Sequence, residues 1–376
     1  MGDAFQNIGG TSSSADFLEW NFTIQANGTP WSIEEAMTQL LAYENAEGFT
    51  LPLATAMQRD GEVIHELGRR RKPTAVAALR AFAAMSTVDT QRELARTYAD
   101  KLVAEGLPEP PWVDQIGRVR VDGCWWAHDP FDETAIVLCA FSYDGADEHG
   151  ILAMIDRTLG GGLFRELTLG TRPAEWLETV LTPVSEGFVG EPLDPAYARR
   201  LFEDAVATSD ELIENREYQP RPVPRAYRKM RALTLARARA LADAPVPAES
   251  FPGTVELELL KRSFLASGAA SALPGDDATD RALDLLVTQF VEQAACHPLQ
   301  LGPRRVQAIL GLPALATDAA ADPEVARLLP EVAGAWISWT AVERGLPVDA
   351  VERLGRITEQ SCADLRAAIA GGAKGA

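Results

Sequence analysis

Thr134-Ala-Ile-Val-Leu-Cys-Ala-Phe-Ser-Tyr143 organises everything around it. Its ten residues are rich in β-branched and aromatic types, which favours a strand. Its apolar residues fall on both parities, so a strand here is covered on both faces. Outward from it, Arg118-Val-Arg-Val121, Cys124-Trp-Trp126 and Ile151-Leu-Ala-Met-Ile155 also read as strands, and a further one fits about 164–169. Asp129-Pro-Phe-Asp132 places Asp and Pro where a β-turn wants them. Asp144-Gly145 suits a hairpin. Such short connections require antiparallel neighbours.

Helical patterns lie on either side. Ser32 and Glu35 have capping-box spacing ahead of Met37, Leu40 and Leu41. A second helix is expected at about 54–68. Pro73 opens a third, with Val76, Leu79, Phe82 and Met85 on one stripe. A fourth spans about 89–105 and stops at Gly106, before Leu107-Pro-Glu-Pro-Pro111. Beyond 171, helices are expected at about 173–182, 195–213, 224–241, 255–266, 279–295, 303–311, 323–344 (broken near Pro330) and 347–370. Residues 267–278 read as a loop. The expected fold is therefore α+β and mostly helical, with a small antiparallel sheet at 118–170. A flexible tail (1–16), an N-terminal helical module (17–117), a C-terminal helical module (171–370, with a Pro-rich linker at 219–224) and a frayed end (371–376) complete the division.

The 376 residues are 47% hydrophobic and 24% charged, enough to bury a core and too apolar for a disordered chain. No apolar run reaches the ~18 residues of a spanning helix, and Met1-Gly-Asp-Ala-Phe-Gln6 carries no basic or apolar leader pattern. A cytoplasmic protein without membrane contact is expected. Cys124, Cys139, Cys296 and Cys362 are too scattered for a disulfide framework and read as reduced.

The net charge of −19 repels nucleic acid and anionic membranes on average. Against that field, residues 215–241 hold eight basic groups and a single acid, Glu217. On a helical wheel Tyr227, Met230, Thr234, Ala238 and Leu241 form an apolar stripe, and Arg225, Arg228, Lys229 and Arg239 gather opposite. Such a face fits an acidic protein partner or an anionic ligand, and less readily nucleic acid. It also fits a helix whose arginines pair within the chain.

The densest chemically capable residues are His128, Asp129, Asp132, His149 and Asp156. Imidazole and carboxylate together can bind a metal or move protons, provided that they converge. The separation of seven positions between His149 and Asp156 puts them on opposite faces of a regular strand. Gly160 and Gly161 would let a backbone approach a ligand. No P-loop, Gly-x-Ser-x-Gly or His-Glu-x-x-His pattern occurs, and no cofactor is implied. Trp336 and Trp339, one helical turn apart, read as core.

Two stretches carry a resemblance. One holds the helix 74–105, Leu107-Pro-Glu-Pro-Pro-Trp112, Asp129-Pro-Phe-Asp132, His149, Asp156 and Leu159-Gly160-Gly161. The other holds Phe264-Leu-Ala-Ser267, Pro298-Leu299, Gly302-Pro303-Arg304-Arg305-Val306, Leu329-Pro-Glu331, Ala335-Trp336 and Arg344-Gly345-Leu346-Pro347. Their order resembles a group of helical–β–helical proteins of GC-rich actinobacteria with no assigned activity. The resemblance implies the same order of modules, and His149, Asp156, Gly160 and Gly161 match it best. The expected function is that of a non-catalytic interaction or regulatory protein acting through the basic helix. A metal-assisted hydrolase built on the His/Asp set and a nucleic-acid-binding regulator are the alternatives.

Overall fold

The structure, a computed structural model, describes residues 28–42, 51–158, 162–182, 187–215, 223–242, 253–292 and 297–372. Among them lie thirteen α-helices and one five-stranded antiparallel sheet, so the fold is α+β and mostly helical.

The N-terminal module comprises α1 (Pro30–Leu40), α2 (Leu53–Leu67), α3 (Pro73–Met85) and α4 (Asp89–Ala104). Ile33, Met37, Ile64, Leu67, Val76, Leu79, Phe82 and Leu102 meet in its core. The expected capping box at Ser32 is displaced by three residues. Thr29 is the N-cap of α1 and accepts from the Ser32 N–H, because Pro30 at the first helical position fixes the start there.

The sheet holds β1 (Arg120–His128), β2 (Thr134–Tyr143), β3 (Ala146–Asp156), β4 (Leu163–Gly170) and β5 (Val189–Pro192), in the order β4-β3-β2-β1-β5. The two runs read around 118–126 are one strand, β1. A two-residue turn joins β2 to β3, with φ of 51° at Asp144 and 83° at Gly145. Positive φ at both positions makes the turn match the twist of the strands. Both sheet faces are covered. One packs Val137, Cys139, Phe141, Ile151, Ala153 and Phe164 against α6 (Pro195–Glu214) and α7 (Arg225–Ala240). The other packs Ala127 and Leu138 against Val180 of α5 (Pro173–Leu181).

The sheet unit thus extends past 170. Helices α5, α6 and α7 pack with the strands, and the C-terminal core is built by α8 (Thr254–Leu265), α9 (Asp277–Glu292), α10 (Pro303–Leu310), α11 (Pro313–Ala320), α12 (Pro323–Glu343) and α13 (Val348–Gly372). Trp336 and Trp339 lie in that core, 0% and 5% exposed. The break expected at Pro330 is absent, and α12 runs through it. Pro330 forfeits one helical hydrogen bond. Its neighbours Leu328, Leu329, Val332 and Ala333 are fully buried, so packing holds the helix on both sides. Residues 267–278 include a single 3₁₀ turn, Gly268–Ala270.

Helix α7 lies at the centre. Tyr227, Ala238 and Leu241 face the sheet core, as the wheel predicts. Ala232, Leu233 and Ala236 pack into the N-terminal core. A helix read as a basic rod is therefore the joint between two modules.

Candidate functional site

The five His/Asp candidates do not assemble into one site. They occupy three places, because β3 is extended throughout and seven residues of strand span roughly 23 Å.

His149 sits near the β2–β3 hairpin, paired in register with Phe141 and fully buried. Its ring lies against Trp31, tilted by 31°, with 4.2 Å between centroids. Nδ1 lies 2.8 Å from the Asp147 carbonyl, and Nε2 lies 2.8 Å from Arg237 Nε. Arg237 has no proton-accepting role to offer, so its N–H donates to Nε2 and the Nδ1–H donates to Asp147. The imidazole is thereby neutral. Burial, reinforced by the Arg237 charge, pushes its pKa down to about 3. Arg237 also donates to the Tyr143 hydroxyl at 3.0 Å and pairs with Glu34 at 2.5 Å. Glu34 and Arg237 are 0% and 1% exposed. The second carboxylate oxygen of Glu34 accepts the Gly117 N–H at 2.7 Å. Burial holds the Tyr143 hydroxyl well above its ordinary pKa. This set binds α1, the sheet and α7 together.

Asp129, Asp132 and Asp156 lie at the opposite end of the sheet. Asp129 accepts the N–H groups of Phe131 (2.8 Å), Glu133 (3.2 Å) and Thr134 (2.5 Å), closing the expected turn on itself. Asp132 takes a φ of 60° and pairs with Arg157. Asp156 accepts the Thr158 N–H and hydroxyl, and pairs with Arg304 at 3.2 Å.

The turn reaches into the C-terminal module. Phe131 joins its core, 1% exposed, under the Arg353 guanidinium at 4.7 Å. Glu133 accepts the N–H groups of Arg304 and Arg305 at 3.1 and 2.7 Å, so it caps α10 from 171 residues away. A Cβ on Gly302 would lie 2.6 Å from both Glu133 Cδ and Phe131 Cβ, which is why glycine stands there. Arg305 is 4% exposed and donates to the carbonyls of Gln300, Phe131, Asp132 and Arg157. These carboxylates are spent on main-chain N–H groups and guanidiniums, which is the chemistry of a latch.

His128 stands apart, stacked on Trp126 at 4.1 Å and 3.4 Å from Glu191 at the β5 edge. Among the described residues, no group of three or more His, Cys, Asp or Glu could hold a metal ion. Gly160 and Gly161 lie outside the described residues.

The basic residues of α7 divide along its length. Arg225 and Lys229 are exposed, while Arg228 and Arg239 are partly buried. The expectation that all four face solvent therefore fails for the last two, because the wheel side that carries them also carries Ala232 and Ala236, which dock on the N-terminal module. The arginines flanking the apolar stripe, Arg231 and Arg237, were missed. Both are buried and paired, Arg231 with Asp210 at 2.6 Å. Their nearness to the stripe was the available signal, since an arginine beside an apolar seam is drawn in with it. Glu34 gave no such signal.

Comparison with protein-family models, curated proteins and solved structures gives no match. No helix among the described residues is long and apolar enough to cross a membrane.

Proposed function

We propose that the protein is a cytoplasmic, non-catalytic interaction protein that takes an acidic protein partner on the first half of α7. The observation that carries this reading is the division of the helix. Its second half is anchored between two modules, and its first half presents Arg225 and Lys229 to solvent on a chain of net charge −19. A fixed helix with an exposed basic end steers an acidic surface toward it and sets its register. The resemblance to the actinobacterial group is proposed with this reading, resting on His149 and Asp156 in their order.

The test compares the full chain with the double variant R225E/K229E. Poly-glutamate of defined length serves as the acidic probe, and a DNA duplex of matched charge as the competitor. Binding of poly-glutamate by the parent, lost by at least tenfold in the variant with its thermal unfolding unchanged, supports the reading. Equal binding by both proteins overturns it. Preference for the duplex, with a steep loss as salt rises, would make the helix a nucleic-acid contact instead.

A further inference from the structure

Two cysteines face each other across β1 and β2. Cys124 pairs in register with Cys139, and the ladder is unbroken from Gly123 to His128. Directly opposed residues of an antiparallel pair project on one face. Both side chains lie in the core between the sheet and α6, at 4% and 0% exposure, and both are free thiols. The hydrogen bonds around them fix which kind of pair this is. The Cys124 carbonyl accepts the Leu193 N–H at 2.9 Å, on the side of β5. On β2, the Thr134 carbonyl accepts the Asp129 N–H toward β1, and the Glu133 carbonyl accepts the Arg157 N–H toward β3. Strand residues alternate in this direction, so Cys139 turns its main-chain groups to β3, as Cys124 turns its own to β5. The two cysteines are therefore a non-hydrogen-bonded pair.

That geometry suits a covalent bond. In a non-hydrogen-bonded pair the Cα atoms stand about 4.5 Å apart, and the side chains approach most closely. A disulfide spans Cα atoms about 4.4–6.8 Å apart, a range such a pair already satisfies. The two sulfurs act on each other: burial, and next the Cys124 thiol beside it, hold the Cys139 thiol well above its ordinary pKa. They differ in access, since Cys124 keeps a little surface and Cys139 none. Cys362 sits in the separate C-terminal core. The ring from 124 to 139 encloses Asp129, Phe131 and Glu133, and the last two reach into the C-terminal module.

We propose that Cys124 and Cys139 form a reversible intramolecular disulfide, made by a peroxide and undone by a small thiol. Cys124, the more accessible sulfur, attacks one peroxide oxygen. The O–O bond breaks, a sulfenic acid forms on Cys124, and the thiol proton leaves in a molecule of water. The Cys139 sulfur then attacks the Cys124 sulfur. The S–O bond breaks, and hydroxide departs with the Cys139 proton as a second water. Two electrons pass from the sulfur pair to the peroxide. A thiol opens the bond by exchange through a mixed disulfide and is itself oxidised to a disulfide. Burial slows the first step and restricts it to a small oxidant. The closed ring pins the β1–β2 register and narrows the unfolded ensemble around the turn that latches the C-terminal module.

The experiment takes the full chain, fully reduced, and exposes it to hydrogen peroxide under native conditions. Acid stops the reaction, and a maleimide in denaturant counts the remaining thiols by intact mass. The expected result is four labelled sulfurs before oxidation and two after, with a digest peptide linked through Cys124 and Cys139. The oxidised chain should melt about 3–5 °C higher. Dithiothreitol should reverse all of these changes. C124S and C139S should each abolish both the linked peptide and the rise in Tm, and C362S should keep them. A folded parent that retains four thiols in peroxide overturns the inference. So do oxygen adducts on single sulfurs with no linked peptide, or a link to Cys296 or Cys362 in its place. A rise in Tm retained by folded C139S overturns it as well. Should neither serine variant fold, the linked peptide of the parent decides alone.

Discussion

Two buried polar clusters stand at opposite ends of the same sheet and solve the same problem in opposite ways. Glu34, Tyr143, His149 and Arg237 join the N-terminal module to the strands through side chains alone, around one guanidinium. Glu133, Asp132, Asp156, Arg304 and Arg305 join the C-terminal module through many contacts, most of them to main-chain groups. The first concentrates its dependence on one residue. The second spreads it, so losing one member leaves the others partnered. Concentration gives specificity of docking, and redundancy gives tolerance.

That contrast is broken most directly at Arg237. In R237M, Glu34 loses its counter-ion at 0% exposure, and a loss of about 3–5 kcal/mol is expected in chemical denaturation. E34Q/R237M should recover part of it, since both charges go together. An R237M protein as stable as the parent would show that the cluster is incidental.

The next effect is in pH. His149 has a folded pKa of about 3, below the ordinary 6.5, so the unfolded chain binds the extra proton between those values. Stability from this residue is complete above about pH 6.5 and falls on acidification toward pH 3, at up to ~1.4 kcal/mol per pH unit. Asp60, buried and pushed up from 3.8 to about 6, acts the other way, its contribution falling as pH rises through that range. H149F should flatten the acid limb, and D60N should steepen it. Urea midpoints from pH 3 to 8 measure both.

At the other end of the sheet the expected losses are smaller. G302A drives a Cβ into Glu133 and Phe131, for about 1–3 kcal/mol. E133Q keeps an acceptor for α10 but removes the charge, and about 1 kcal/mol is expected. A loss from E133Q as large as that from R237M would erase the distinction between the clusters.

How far the sequence reveals these features follows from how local they are. The sheet was legible at 134–143, where apolar residues on both parities required cover on both faces. The Asp129 turn was legible because its acceptor and donors lie within five residues. The Glu34 cluster was not, since His149 and Arg237 are 88 residues apart and nothing near either position marks the partner. Strand β5 escaped because four residues at an edge, with Gly190 pressed against the Val180 carbonyl, show no alternation. Helix α11 escaped because its eight residues, half of them Ala with a leading Pro313, have no broad apolar stripe. The seven-residue separation of His149 and Asp156 already argued against a single His/Asp site. Residue type suggested chemistry, and strand geometry dispersed it.

The central position of α7 has a consequence for the order of assembly. During synthesis the N-terminal helices and all five strands leave the ribosome before Arg237 does. Until then Glu34 and His149 have no cation between them, and the sheet face that meets Tyr227 has only α6 upon it. The nascent chain therefore holds two unfinished halves, and one late-arriving segment closes both in a single step.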